Sequence, residues 1–177
     1  VIKRIRALAR KGEAQRLPLD LNALLRDTAG LVQRELSNHR IVLELRLAPA
    51  LPPVEGDAVQ LQQVVINLLM NAMQAIDSSG PDWLRRQQRI VVSTRLHDER
   101  VEIEVTDTGP GLSEAQAGRL FEAFYTTKAD GMGMGLAICR SIVDAHGGRI
   151  QAVAHDGPGA TLVFTLPCAM AAAGVAA

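Results

Sequence analysis

Apolar positions along the chain change period several times, and each change marks an element. Leu21, Leu24, Leu25, Leu31 and Val32 recur at helical spacing behind Asp20, a residue suited to an N-cap, so a helix is predicted from there. Leu17–Leu19, just before it, reads as a short strand. Ile41–Leu47 alternates with period two and predicts a strand, after which Pro49, Pro52 and Pro53 break the chain. Asp57 caps a long helix predicted to reach about Ile76. Ser78–Gln88 is polar and loop-like, with Trp83 as a candidate anchor. Strands are predicted near Arg89–His97 and Val101–Asp107, joined by a tight turn at Asp98–Arg100. An irregular stretch from Thr108 to about Met132 follows, and loops of that length in a compact domain are usually functional. A helix from about Gly133 to Ala145 ends at Gly147 and Gly148. Two last strands, Arg149–Ala154 and Ala160–Leu166, flank a turn at Asp156–Gly159.

Helices and hairpins mix here without a regular β-α-β alternation. The predicted fold class is therefore α/β: a two-layer sandwich with a mixed β-sheet and helices on one face. At the ends, Val1–Lys11 places Ile2, Ile5 and Leu8 at helical spacing among basic residues. That segment reads as the end of a longer helix, or as a frayed amphipathic terminus. The alanine-rich stretch after Pro167 is expected to be disordered. The expected organisation is a helix tail and linker over 1–16, one domain over 17–167 and a flexible tail over 168–177.

Composition narrows the partners. The 177 residues suit one domain, and 47% of them are apolar, enough for a core. Nineteen basic and nineteen acidic residues cancel, so no broad attraction to nucleic acid or an anionic membrane is expected. No apolar run is long enough to cross a bilayer and no secretory signal opens the chain, which predicts a cytoplasmic domain whose parent is free to be membrane-anchored. Cys139 and Cys168 form no metal-like cluster and read as buried or idle thiols.

Four segments carry the chemistry. On the helix from Asp57, Gln60, Gln63, Asn67, Asn71 and Gln74 share a face at three- and four-residue steps. Leu61, Val64, Val65, Leu68, Leu69 and Ala72 fill much of the rest. A helix this apolar should be largely buried, and buried amides need partners. The Asn71 carbonyl suits a hard cation such as Mg2+, with Asn67 one turn earlier; a solvent-facing stripe is the alternative. Asp107 ends a strand in which Val101, Ile103 and Val105 point one way, and parity puts it on that apolar side. A carboxylate there needs a donor, which an adenine amino group would supply, unless it only bonds the D-T-G-P-G turn. Gly109 and Gly111 would let backbone approach a flat base.

Gly131, Gly133 and Gly135 precede a helix whose exposed N–H groups form an anion site. The spacing fits neither the dinucleotide fingerprint nor a P-loop. Between these segments stand Phe121, Phe124 and Tyr125, three of the chain's five aromatic residues, which could pack the base of a loop closing over nucleotide. Lys128 is placed to reach a phosphate. Thr161, opening the last strand, is a candidate to join a water near the base, although threonine in a strand needs no such role. His39, His97 and His155 read as surface residues and His146 as a helix-end residue suited to the dipole, none of them catalytic.

N-L-L-M-N-A, D-T-G-P-G-L, F-E-A-F-Y-T-T-K and G-M-G-M-G-L-A-I-C-R-S-I-V-D-A-H-G-G resemble the N, first glycine, F and second glycine boxes of sensor histidine kinases. The likeness covers roughly Leu17 to Leu166, and the T-T-K-x-x-G-M-G-M-G-L string is most similar to the oxygen- and nitrogen-sensing branch, of FixL or NtrB type. The resemblance implies the Bergerat ATP-binding fold, with ATP and Mg2+ as ligands. It implies that Asn71 chelates the metal, Asp107 binds the adenine amino group and the Gly133, Met134, Gly135, Leu136 backbone holds the distal phosphates. Phe121–Lys128 would form the ATP lid. Asn67 stands where gyrase-like ATPases carry a water-activating glutamate, so rapid hydrolysis is not expected. Gln74 stands where many histidine kinases have a basic residue. The family's H-E or H-D phosphoacceptor motif does not precede the amide-striped helix in this chain. The implied partners are a dimerisation domain bearing that histidine, in a homodimeric parent, and a response regulator receiver domain. The fragment itself is compatible with a monomer. A self-sufficient ATPase and a nucleotide-sensing module without phosphotransfer are the rival readings.

Overall fold

The computed structural model describes residues 16–78, 88–123, 125, 133–153 and 158–169. The expectations for Val1–Lys11, Trp83, Phe124, Lys128, Gly131 and His155 lie outside them.

The elements follow in the order β1 (Leu17–Leu19), α1 (Leu21–Asn38), β2 (Val42–Arg46), β3 (Val54–Gly56), α2 (Ala58–Asp77), β4 (Arg89–His97), β5 (Arg100–Asp107), α3 (Glu114–Arg119), α4 (Gly135–Ala145), β6 (Arg149–Val153) and β7 (Ala160–Pro167). Five strands form one sheet in the order β2-β4-β5-β7-β6. β2 runs parallel to β4 and every other pairing is antiparallel, so the sheet is mixed as expected. β4 and β5 join through a two-residue turn in which Asp98 and Glu99 take φ of 47° and 59°. Two successive left-handed residues are what a twisted hairpin demands, although neither is glycine or asparagine.

One sheet face carries Ile90, Val92, Val101, Ile103, Val105, Leu162, Phe164 and Leu166, all buried. Against it lie Leu61, Val64, Val65, Leu68 and Leu69 of α2, together with Leu21, Leu24 and Leu25 of α1. Burying one such side chain contributes roughly 1.5–3 kcal/mol. The opposite face is polar: Ser93 Oγ donates to Glu104 Oε2 at 3.1 Å, and Arg95 lies 3.2 Å from Glu104 Oε1. A buried polar link pins α1 to the sheet, since Asn22 Nδ2 donates to Ala48 O and Thr94 Oγ1 donates to Asn22 Oδ1.

The structure adds two elements to those anticipated. β3 pairs with β1 as a separate antiparallel ribbon. α3 interrupts the stretch expected to be irregular, and Ser113 and Gln116 cap its start reciprocally. Cys168 and Ala169, expected in the tail, are tied back: Cys168 bridges Val54, and the Ala169 N–H donates to Pro53 O at 2.8 Å. Among the described residues, no helix is long and apolar enough to cross a membrane.

Candidate nucleotide site

Asp107 ends β5 with its side chain on the buried face beside Val105, 5% exposed. Its Oδ1 accepts the Gly109 N–H at 2.8 Å, so the carboxylate does bond the turn that follows. Gly109 is required there. A Cβ would stand 2.8 Å from Asp107 Oδ1 and 3.2 Å from the Ala75 carbonyl carbon on α2. The turn is closed from the other side by Gly159, whose N–H donates to Gly109 O at 2.8 Å. Gly159 has φ of +98°, and a Cβ on it would press to 2.7 Å from Asp107 O. Gly111 and Gly133 also take left-handed φ, 92° and 63°.

The amide stripe of α2 leads away from this end. Gln60, Gln63, Asn67 and Asn71 are half-buried and Gln74 is exposed. Asn67 Nδ2 donates to Gly135 O, the first residue of α4, at 3.4 Å. Asn67 and Ala75 lie two turns apart on one face, a rise of about 12 Å. One end of that face touches the glycine-rich start of α4, and the other touches the Asp107–Gly109 turn. Asn71 stands between them. Three of the four sequence segments therefore converge along one helix face.

The start of α4 differs from the others. Asp20, Asp57 and Ser113 cap α1, α2 and α3 with side-chain oxygens. Met134 gives α4 no side-chain cap, and its first turn has no acidic residue. Helix N–H groups without such a cap favour an anion. The helix starts at Gly135 rather than Gly133, so Gly133 and Met134 form the approach and Gly135 and Leu136 the first turn. Gly135 and Met134 are exposed and Leu136 half-buried.

Thr161 does not face the site. Ala160 pairs with Asp107 and Thr161 with Thr106, and the two threonine hydroxyls lie 2.8 Å apart. Strand alternation thus turns Thr161 to the opposite sheet face, and the position beside Asp107 is Ala160, which has no hydroxyl. Of the expected lid aromatics, Phe121 joins the core and the Tyr125 ring lies under the Arg119 guanidinium, 4.6 Å from its centroid. His97, half of an H-D pair, is the exposed last residue of β4, beside the turn. His39 bonds Asp77 at 2.7 Å, joining the ends of α1 and α2. His146 closes α4 as expected of a helix-end residue, and the structure adds that it is buried, with both ring nitrogens engaged. Both cysteines are free thiols. Burial pushes the Cys139 thiol up to about 12, against a lowering hydrogen bond from the Asn67 amide. No group of three or more His, Cys, Asp or Glu residues that could hold a metal occurs among the described residues.

Comparison with known proteins places this geometry. Residues 56–170 match the family described as histidine kinase-, DNA gyrase B- and HSP90-like ATPase. The sensor histidine kinase TmoS of Ectopseudomonas mendocina is 38% identical over 94% of this chain and 17% of its own length. The sensor protein FixL of Bradyrhizobium diazoefficiens is 38% identical over 96% of this chain and 32% of its own. The chain thus spans at most a third of the length of these relatives. Full-length ShkA in complex with AMPPNP superposes with a TM-score of 0.77 at 30% identity, over 96% of this chain and 34% of that one. Histidine kinase ThkA in complex with the response regulator TrrA gives 0.73 at 26% identity, over 95% of this chain and 46% of that one. The mixed sheet, the paired helices α2 and α4 and the matched segments together make this chain a member of the histidine kinase-, DNA gyrase B- and HSP90-like ATPase family, as an ATP-binding catalytic domain of the sensor histidine kinase kind.

Proposed function

We propose that this chain binds Mg–ATP between α2 and the start of α4 and transfers the γ-phosphoryl group to a histidine on a dimerisation domain. The convergence of Asp107–Gly109, Asn71 and Gly135 along one face of α2 carries this reading. Asp107 accepts the adenine amino group while holding the Gly109 N–H. Gly111 borders the base. The backbone of Gly133, Met134, Gly135 and Leu136 faces the distal phosphates, with Gly131 and Lys128 assigned to the same end. Asn67 ties α2 to the Gly135 carbonyl, so its part in the chemistry is to fix the distance between the helices.

Asn71 offers an amide oxygen, a hard donor suited to Mg2+, an ion that takes few protein ligands when phosphates and waters supply the others. The lack of a carboxylate cluster among the described residues fits a metal that arrives with its nucleotide. Bound there, the ion would neutralise charge on the phosphates. Catalysis then rests on positioning and electrostatics, because phosphoryl transfer asks little covalent chemistry of the protein. No general base stands at Asn67, which disfavours water as acceptor. ThkA is seen with a response regulator, and a receiver domain is the proposed onward acceptor for this protein too.

Radiolabelled ATP with this chain alone should leave no protein-bound phosphate. Adding the dimerisation domain of a related kinase should give an acid-labile, alkali-stable phosphohistidine on that domain. Steady phosphate release with no labelled histidine would overturn the reading in favour of an ATPase. Binding with neither product would favour a nucleotide sensor.

A further inference from the structure

His146 ends α4, at the opposite end from the glycine-rich turn, and is 4% exposed. Its Nδ1 lies 2.7 Å from Ile142 O, which can only accept. Its Nε2 accepts the Asp57 N–H at 3.0 Å. The two bonds assign the neutral tautomer with the proton on Nδ1. Asp57 is the cap of α2: its Oδ1 takes the Val59 and Gln60 N–H groups, and its carbonyl takes that of Leu61. The residue that starts the amide-striped helix is thus held by the residue that ends the other one. Gly56 leaves room for Leu61 and for the ring, since a Cβ there would stand 2.6 Å from Leu61 Cδ1 and 3.3 Å from His146 Cδ2.

We infer that His146 is a positioning residue that sets the register of α4 along α2, and with it the gap between the Gly133–Leu136 turn and Asn71. This rests on the nucleotide site proposed above. The two helices run antiparallel, joined at three levels by Asp57 with His146, Val64 with Cys139, and Asn67 with Gly135. The last two bonds are long, 3.8 Å to sulfur and 3.4 Å from an amide. Leu61, Val64 and Leu68 share one apolar core with Cys139 and Val143, and apolar burial has no direction of its own. The histidine bond has ordinary length and is part-buried, with the ring itself buried, so losing the ring partner is costly. A helix is stiff along its axis, so holding one end fixes the other, about 16 Å away.

The variants follow from ring geometry. His146→Gln can place an amide oxygen where Nε2 stands and keep the Asp57 bond; His146→Asn reaches only as far as Nδ1 and loses it. Binding of AMPPNP with magnesium, and of adenosine, is measured by calorimetry on the 177-residue chain. Measurement takes place well below each melting temperature. AMPPNP should bind about tenfold more weakly to His146→Asn and within about threefold of wild type to His146→Gln. Adenosine, which lacks phosphates, should bind all three alike, because Asp107 and Gly109 are not on α4. Equal AMPPNP affinity in both variants, or a parallel loss of adenosine, overturns the inference and leaves the nucleotide site standing. A wild-type chain that fails to bind AMPPNP overturns the site itself. Independently of any variant, the Asp57 amide should be strongly protected from hydrogen exchange in the wild type, and rapid exchange would sink the proposal.

Discussion

Asp107→Asn separates the two duties assigned to the carboxylate. In the protein Oδ1 accepts the Gly109 N–H at 2.8 Å, and an asparagine oxygen can inherit that bond. The other position then carries an NH2 group, where an adenine amino group requires an acceptor. The lost bond involves a charged group and is worth about 1.5–3 kcal/mol, or a ~10- to ~150-fold weaker complex. Two opposed donors push the loss toward the upper figure. Stability should move by less than about 1 kcal/mol, because the side chain keeps its volume in a site only 5% exposed and the turn keeps its acceptor. Calorimetry with AMPPNP and magnesium, paired with thermal melts, reads both quantities. Inosine triphosphate offers a second channel. Its carbonyl at the position of the adenine amino group accepts instead of donating, so its disadvantage against ATP should shrink in the variant. Unchanged AMPPNP affinity in a fully folded Asp107→Asn chain would remove the carboxylate from the base edge.

Other perturbations test the surrounding structure. Gly109→Ala pushes a methyl to 2.8 Å from Asp107 Oδ1 and 3.2 Å from the Ala75 backbone, so urea unfolding should show a loss of about 1–3 kcal/mol and calorimetry a weaker nucleotide. Cys139 stays protonated in the fold up to about 12, well above the ordinary thiol value, because it is buried. Above the unfolded-state value only the unfolded chain gives up this proton, so the thiol lowers stability as pH rises through that window, by about 1.4 kcal/mol per pH unit. Cys139→Ala should flatten that part of the stability–pH profile, and an unchanged slope would contradict the burial argument. Glu99→Gly, at a turn residue with φ of 59°, relieves left-handed strain and should raise stability by up to about 1 kcal/mol in urea titration. A fall in stability would mean that the Glu99 side chain contributes more than the strain removes.

Much of the site was legible because its signals are local. Asp20 and Asp57 cap the helices they were expected to cap, since a cap is decided within one turn of chain. Asp107 falls on the buried face because alternation in V-E-I-E-V-T-D leaves no other choice. The S-E-A-Q start of α3 carries a signal of the same local kind, a capping box, within a stretch whose length predicts a loop. β3 had no such signal: three residues between prolines and a cap become a strand only when β1 lies beside them.

By itself, then, the order of residues determined where most of the helices and strands lie, which way Asp107 points, and that amides, a carboxylate and glycines are the available chemistry. Periodicity and capping are properties of neighbours a few residues apart, and a single chain displays them directly. Only the tertiary structure decided which of these groups meet. Register between β5 and β7 put Ala160, not Thr161, beside Asp107. Antiparallel packing of α4 on α2 brought Gly135 to Asn67 and His146 to Asp57. Such pairings depend on how far one whole element slides along another. That sliding is settled by the summed packing of many apolar contacts and a few directional bonds, to which no local stretch of sequence gives access.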